Sequence, residues 1–232
     1  MYKYASTRSG DVAKEFLKGF NGYLMADGYT GYNKVQDIKR CCCFAHIRRY
    51  FFDAIPKGKN RDISCPAVQG VEYCDKLFAY ERHFKEKGYS YKQIKNGRLK
   101  KEKPVIEAFL SWLEKQKPIK GSKFATAVTY ALNRKEHMMT YLEDGRCSLS
   151  NNLSEQKMKS YVIGRKGWLF SDSPEGAEAS AISYSIAETA LDVYKYITYV
   201  LEKRPTEEMA DSELEKLLPW NDKVFEMCKI ER

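Results

Sequence analysis

The sequence has no long hydrophobic run. No apolar stretch approaches the roughly 18 residues that a membrane-spanning helix needs. The first residues, "MYKYASTRSGDVAKEF", also lack the apolar core of a secretory signal peptide. There is no internal repeat and no low-complexity linker. These absences argue against a membrane protein, a secreted protein and a repeat protein, and we expect the chain to be cytoplasmic.

A disulfide framework is absent as well. The seven cysteines are an odd number at irregular spacings, and three of them are adjacent: Cys41, Cys42 and Cys43. This pattern fits a reducing compartment. His46 lies three residues beyond Cys43, but no second Cys/His pair stands at the spacing of a zinc site. Buried strand cysteines are therefore favoured over a zinc site.

The chain has 232 residues, of which 43% are hydrophobic, so it can bury a core as one large domain or as one domain with an insertion. Forty Lys and Arg residues against 31 Asp and Glu residues give a formal net charge of +9. This balance favours a polyanionic partner, nucleic acid first and an anionic membrane surface second. An otherwise ordinary basic surface is the alternative.

Short β-prone segments alternate with helical patterns in residues 1–57, and this order predicts an α/β sheet layered with helices. Residues 58–145 show long amphipathic patterns and predict an all-helical insertion. Residues 146–192 return to the first domain, and residues 193–232 form a helical tail. The predicted strands are "YKYAST", "GYLMADGY" and "IKRCCCFA"; the helices of the first part are "GDVAKEFLKGF", with Ser9 as N-cap, and "HIRRYFFDAI".

Residues 85–103 form a strongly cationic segment, with eight Lys or Arg residues and two Glu residues. Such a segment can track a DNA backbone, with Tyr89 and Tyr91 available to stack or hydrogen-bond. A flexible, solvated loop is an equally good interpretation.

Asp27 closes an apolar predicted strand and precedes Gly28. Ligands of α/β sheets gather at the carboxyl ends of strands, so an aspartate there is well placed to hold a metal ion. A turn-forming Asp-Gly pair is the alternative.

Glu155 lies near the start of a predicted helix, in "NNLSEQKMKSYVIGRKGWLF". Asn151, Glu155 and Lys159 fall four residues apart and share one polar face, where a covering helix would normally bury apolar groups. A carboxylate aimed at a cation would explain that face. The alternative is a capping box, with Asn152 as N-cap and Glu155 three residues later.

Two carboxylates in a basic α/β protein suggest metal-assisted phosphodiester chemistry. Two-metal sites hold their ions roughly 3.5–4 Å apart, activating the attacking oxygen and neutralising the leaving one. Mg²⁺ prefers carboxylate and water oxygens, so Asp and Glu suit it better than His or Cys.

Several segments resemble the insertion-sequence-66 type of transposase, in order and at about its spacing: "GYLMADGYTGYNKV", "CCCFAHIRRYFFDAI", "NNLSEQKMKSYVIGRKGWLF" and "LPW". The resemblance covers nearly the whole chain. It implies a DDE-type recombinase with a ribonuclease-H-like core, in which three acidic residues bind two divalent ions, Mg²⁺ or Mn²⁺. Such enzymes cut transposon ends and join the freed 3′ hydroxyl to target DNA. By these motifs Asp27 corresponds to the second acid and Glu155 to the third.

The resemblance also implies a set of DNA-contacting residues around the two acids. The expected partners are transposon-end and target DNA, further copies of the chain assembled on DNA, and accessory transposition proteins, with no membrane. The expected DNA-binding residues are His46, Arg48, Arg49, Asn151, Asn152, Lys159, Arg165 and Lys166.

The first acid implied by the resemblance has no counterpart here. It belongs to an Asp-Glu-Thr element on the first core strand, and by that comparison this chain begins at the third strand. We therefore expect a truncated core that lacks two strands and exposes an apolar strand edge. Such a chain alone should be less stable than a full core and nearly inactive. Alternatives are a catalytically inactive DNA-binding remnant of a transposase and a protein-interaction module.

Overall fold

The computed structural model describes residues 2–59, 62–168, 171–189 and 191–230, without the side chains of Arg165 and Trp168. The chain divides into two compact units, Ser9–Glu155 and Met1–Arg8 with Gln156–Arg232. Its described part is mixed α/β and mostly helical, with one small parallel sheet. The α/β class is confirmed at this coarse level.

The first unit contains two strands and six helices, joined by short 3₁₀ turns. A π-helical turn, Arg98–Glu102, connects the fourth helix to the fifth. The elements are α1 (Gly10–Phe16), β1 (Gly22–Ala26), β2 (Ile38–Cys42), α2 (Phe44–Asp53), α3 (Pro66–Glu86), α4 (Tyr91–Gly97), α5 (Lys103–Glu114) and α6 (Lys123–Leu132), with 3₁₀ turns at Thr30–Lys34, Lys135–His137 and Thr140–Glu143.

The second unit is helical apart from an isolated bridge between Leu191 and Lys229. Leu191 and Tyr196 pack with Val224 and Cys228 in a small buried cluster. Its helices are α7 (Asn152–Trp168, whose first residues belong to the first unit), α8 (Pro174–Ala187), α9 (Val193–Lys203), α10 (Asp211–Leu214), a 3₁₀ turn (Glu215–Leu217) and α11 (Asp222–Cys228). Within the described residues, no helix is long and apolar enough to cross a membrane.

The sheet consists of β1 and β2, which pair in parallel from Gly22 opposite Ile38 to Ala26 opposite Cys42. Two of the three predicted strands are therefore confirmed. The strand predicted at "YKYAST" is wrong, because residues 2–5 have no regular structure. The Tyr2 N–H donates to Ser185 Oγ at 2.7 Å instead of to a neighbouring strand.

The two predicted helices of the first part are confirmed, but not all of their boundaries: α1 ends at Phe16, before the predicted Phe20, and α2 spans Phe44–Asp53, two residues earlier than predicted. Ser9 caps α1, since its Oγ accepts the N–H of Asp11 at 3.2 Å. Helix α2 begins directly after β2 and buries Phe44, Ile47 and Phe51 in the main core. Helices α3, α5 and α6 and the strand cysteines Cys41 and Cys42 contribute to the same core, so the helical middle packs against the sheet.

The cationic segment 85–103 is helical, so its interpretation as a flexible loop is wrong. Ser90 and Gln93 form a capping box at the start of α4. The π-helical turn precedes Pro104, which lacks the N–H that a regular helix would use at that point. Two charged side chains of this turn, Arg98 and Glu102, are buried, whereas Lys100 and Lys101 are exposed.

Arg98 uses all five of its N–H donors inside the protein. Nε and Nη2 donate to the two carboxylate oxygens of Glu81 at 2.7 and 2.8 Å. The remaining donors reach three backbone carbonyl oxygens in the segment 141–147, those of Tyr141 (3.1 Å), Asp144 (2.9 Å) and Cys147 (2.7 Å). A bidentate pair with Glu81 and three carbonyls thus compensate the desolvation of a guanidinium that is 1% exposed.

Replacing Arg98 should destabilise the first unit severely. Arg98→Met leaves Glu81 and three carbonyls without donors, so we expect a loss of about 3–5 kcal/mol in the free energy of unfolding. Lys100→Met, an exposed change in the same turn, is the control and should stay within about 0.5 kcal/mol. Urea unfolding followed by circular dichroism measures both. Equal stability of the two variants would contradict the assigned role.

Glu102 should make stability depend on pH. Burial and then the Glu81 carboxylate raise the pKa of Glu102 to about 8, and the Tyr141 hydroxyl donates to Glu102 Oε2 at 2.6 Å. A pKa raised by folding stabilises the protein at low pH, and this contribution is lost as pH rises towards 8. At about 1.4 kcal/mol per pKa unit, stability should fall by roughly 3 kcal/mol between pH 5 and pH 8. Glu102→Gln should flatten that profile in urea unfolding, whereas Glu107→Gln, an exposed change, should retain it.

Candidate functional site

Asp27 lies directly after the last residue of β1 and is half-buried. Its Oδ1 accepts the N–H of Tyr29 at 3.0 Å, so the carboxylate also shapes the turn that follows the strand. The two sequence interpretations of Asp27 are therefore compatible. One oxygen fixes the turn, and within the described residues Oδ2 has no hydrogen bond.

Glu155 lies in the first turn of α7, which begins at Asn152, so Asn151 and not Asn152 precedes the helix. The Glu155 N–H donates to the Asn151 carbonyl at 3.1 Å. The carboxylate is about half exposed, and its Oε1 lies 3.4 Å from His46 Nε2. The chain before α7 is tied to the start of α2, because Phe44 N–H donates to the carbonyl of buried Leu149 at 3.1 Å.

His46, in the first turn of α2, contacts Glu155 and feels the charge of Asp27. Burial lowers the pKa of His46, and Arg49 lowers it further, while Glu155 and Asp27 both raise it. Both carboxylates therefore act on this imidazole. The other ring nitrogen, Nδ1, is buried and has no hydrogen-bond partner. The structure thus places His46 in contact with Glu155, and Asp27 lies near enough for its charge to act on the same ring.

Of the remaining predicted residues, some are held by partners inside the protein and others are exposed to solvent. Arg48 donates from Nε and Nη2 to the Asp75 carboxylate at 2.5 and 3.1 Å, so its guanidinium is committed to joining α2 and α3. Arg49 is exposed on α2. Asn151 has a buried Oδ1 without a hydrogen-bond partner.

The basic residues of α7 follow Glu155 along the helix. Asn152, Lys159 and Lys166 are exposed. The side chain of Arg165 lies outside the described residues. Lys159 and Lys166 belong to the second unit.

Arg134, just after α6, is a site residue that the sequence did not indicate. Its Nη2 donates to the Gly28 carbonyl at 3.0 Å and its Nη1 to the Tyr130 carbonyl at 2.7 Å. The guanidinium carbon lies 3.5 Å from the centre of the Tyr130 ring, and Nε is buried without a hydrogen-bond partner. A Cβ at Gly28 would lie 1.6 Å from Arg134 Nη2, which explains the glycine after Asp27.

Arg40 and His137 lie near enough to Arg134 for its charge to act on both. Burial lowers the pKa of Arg40, and Arg134 lowers it further, while Asp27 raises it. Burial also lowers the pKa of His137, followed by the charges of Arg40 and Arg134. In the sequence, Gly28 is the one sign of a close neighbour beside Asp27. The sequence does not identify that neighbour as Arg134, because Arg134 lies in the helical middle, far along the chain from Asp27.

The donor set suits a hard divalent cation only in part. Asp27 and Glu155 offer carboxylate oxygens, which Mg²⁺ prefers, and Asn151, four residues before Glu155, has an unpartnered Oδ1. Across the described ranges, no three His, Cys, Asp or Glu side chains lie close enough to hold a metal ion together. The two carboxylates have the chemistry that Mg²⁺ prefers, but the described residues do not form a complete set of ligands.

Three proteins of Sinorhizobium fredii (strain NBRC 101917 / NGR234), each named only as an uncharacterized protein, are similar over almost the whole chain. The protein y4hP is 30% identical, and the match covers 95% of this chain and 43% of y4hP. The protein y4jD is 29% identical, with 96% of this chain and 45% of y4jD covered. The protein y4qI is 28% identical, with 96% of this chain and 43% of y4qI covered.

The chain thus spans less than half the length of these relatives. No solved structure matches the chain. The model of one protein family, described as the Transposase IS66 family, matches residues 1–179. Since that match covers well over half of its 232 residues, the chain belongs to the Transposase IS66 family.

Proposed function

We propose that this chain is part of the catalytic region of a transposase that cuts and joins DNA with the help of divalent metal ions. The family implies DNA as the partner. The observation that carries the proposal is the contact of Glu155 with His46, on whose imidazole the charge of Asp27 also acts, although 128 residues separate the two acids in sequence. The reaction is phosphodiester hydrolysis at transposon ends, followed by strand transfer to target DNA.

A ribonuclease-H-like core is the fold that we propose for the complete catalytic region. In support, β1 and β2 are parallel, an acid follows β1, and α2 continues directly from β2. The helical middle, residues 58–145, is then an insertion between the second and third acids. The division into residues 1–57, 58–145, 146–192 and 193–232 follows from the same proposal.

Asp27 and Glu155 are the side chains that would hold Mg²⁺ or Mn²⁺ in this region. The bound ions would activate the attacking oxygen and neutralise the leaving oxygen of the phosphodiester. The chain's own contribution is orientation. The Tyr29 N–H and the Arg134 guanidinium fix the turn that carries Asp27. His46 contacts the Glu155 carboxylate and so favours one orientation of it.

The proposed DNA contacts include residues of both units. Arg49 and Asn152 of the first unit and Lys159 and Lys166 of the second unit are exposed and suited to backbone phosphates. His46, Asn151 and Arg165 remain proposed contacts. Arg48 would need to leave Asp75 to join them. Transposition would further involve additional copies of the protein and accessory transposition proteins.

Removing either acid should abolish cutting without abolishing DNA binding. The test uses the longest reading frame that encodes this chain, transposon-end DNA and Mg²⁺ or Mn²⁺. Asp27→Asn and Glu155→Gln should each slow nicking by about 10³-fold, because several kcal/mol of charge stabilisation is lost. Asp53→Asn, an exposed change at the end of α2, is the control and should cut like the unchanged protein.

The outcomes separate the proposal from its alternative. Metal-dependent nicking that survives both substitutions would overturn the assignment of the acids. DNA binding without any metal-dependent nicking would identify a catalytically inactive DNA-binding remnant instead. The 232-residue chain alone should bind DNA but cut it poorly, since no three His, Cys, Asp or Glu side chains among its described residues lie close enough to hold a metal ion together.

A further inference from the structure

Two arginines, Arg40 and Arg134, lie near Asp27. Arg134 donates to the carbonyl of Gly28, the next residue, and the charge of Asp27 acts on Arg40. The charges of both arginines act on His137. The mutual repulsion of the two guanidiniums is evident in Arg40, whose pKa is lowered by burial and by Arg134. One aspartate cannot balance two permanent positive charges.

Arg134 is held in place and cannot swing into solvent to relieve that repulsion. Its guanidinium is fixed by the carbonyls of Gly28 and Tyr130 and lies flat against the Tyr130 ring. Its Nε is buried and has no hydrogen-bond partner. Each Nη nitrogen carries a second N–H that makes no further hydrogen bond among the described residues, and these two donors suit a ligand that brings acceptor oxygens.

Arg40 is oriented by a different neighbour, Asn33. It projects from the middle of β2, and the Asn33 side chain accepts a hydrogen bond from its Nη1. It is half-buried, so its charge is less screened than that of a surface arginine. By contrast, Arg48 and Arg146 are each paired with an aspartate at short distance. Within the described residues, neither Arg40 nor Arg134 forms such an ion pair with a carboxylate.

We propose that Arg40 and Arg134 form a phosphate seat beside Asp27, which binds one backbone phosphate of DNA. The guanidinium fork matches phosphate oxygens and carries a permanent charge, so it suits a phosphodiester. This inference rests on the proposed function. It adds that the strand is positioned by two arginines from β2 and from the end of α6, independently of metal.

The seat is tested by DNA binding in the presence of EDTA, so that no metal ion and no cleavage contribute. Fluorescence anisotropy of a short labelled duplex is measured over a series of KCl concentrations. Arg40→Gln should weaken binding about tenfold. It should also reduce the slope of log K against log salt by about 0.9, the value for one phosphate contact. Arg146→Gln removes an equal charge from an exposed pair with Asp144 and should change neither quantity appreciably.

Asp27 provides a second test that does not depend on changing an arginine. Without metal, its carboxylate repels a phosphate in the seat, so Asp27→Asn should tighten DNA binding about threefold. Asp53→Asn removes an equal charge from the exposed end of α2 and should have a smaller effect. Thermal unfolding of each variant shows whether a change in binding reflects loss of structure.

The results distinguish the seat from the proposed function. If Arg40→Gln weakens DNA binding no more than Arg146→Gln, and Asp27→Asn does not tighten DNA binding, the proposal of a phosphate seat is wrong. This conclusion holds even if Asp27 and Glu155 prove essential for cutting. If both binding effects occur but Asp27→Asn still cuts DNA in the longer protein, the seat stands and the catalytic assignment fails.

Discussion

The buried guanidinium of Arg98 fixes the path by which the chain reaches the candidate site. It donates to three carbonyls of the segment 141–147, which leads from the helical middle to α7. Gly145 lies so close to the start of α4 that a Cβ would be 1.9 Å from the Tyr91 carbonyl oxygen. Leu149 then accepts the Phe44 N–H at the start of α2. His46 and Glu155 meet because both ends of this path are fixed.

A hydrophobic residue in place of Arg98 could fill the same volume, and buried ion pairs often contribute little net stability compared with such a residue. It could not satisfy the three carbonyls, however, since these belong to an irregular segment with few neighbouring donors. The positive charge also requires Glu81, which in turn raises the pKa of the nearby Glu102. The arrangement that positions the segment 141–147 therefore includes a buried carboxyl group, that of Glu102, whose protonation depends on pH.

Local structure was largely predictable from the sequence, because periodicity and capping act over a few residues. The strands at Gly22–Ala26 and Ile38–Cys42, the Ser9 cap and the helix after the cysteines all follow from such patterns. "YKYAST" has equal β propensity but no strand beside it among the described residues, and propensity alone cannot supply a partner. The acids were found by resemblance, whereas periodicity alone left each with a structural alternative.

The long-range contacts were not predictable by any local pattern. Arg98 is one of eight basic residues in its segment, and its partners lie 17 residues before it and up to 49 residues after it. Arg134 reaches a carbonyl 106 residues away. Burial of a charge depends on such tertiary partners, which composition does not encode.

The net charge of +9 consequently says less about function than the degree to which neighbouring groups compensate the charge of each arginine. Arg98 has every donor satisfied and serves the fold, and Arg48 is paired with Asp75 between two helices. Arg134 is equally immobile but keeps a buried donor without an acceptor, beside a second half-buried guanidinium. A cation that is fixed, desolvated and incompletely compensated costs free energy in the unliganded protein. In the proposed phosphate seat, an anion bound between Arg40 and Arg134 would offset this cost, so the local imbalance, more than the total charge, supports the proposed contact with DNA.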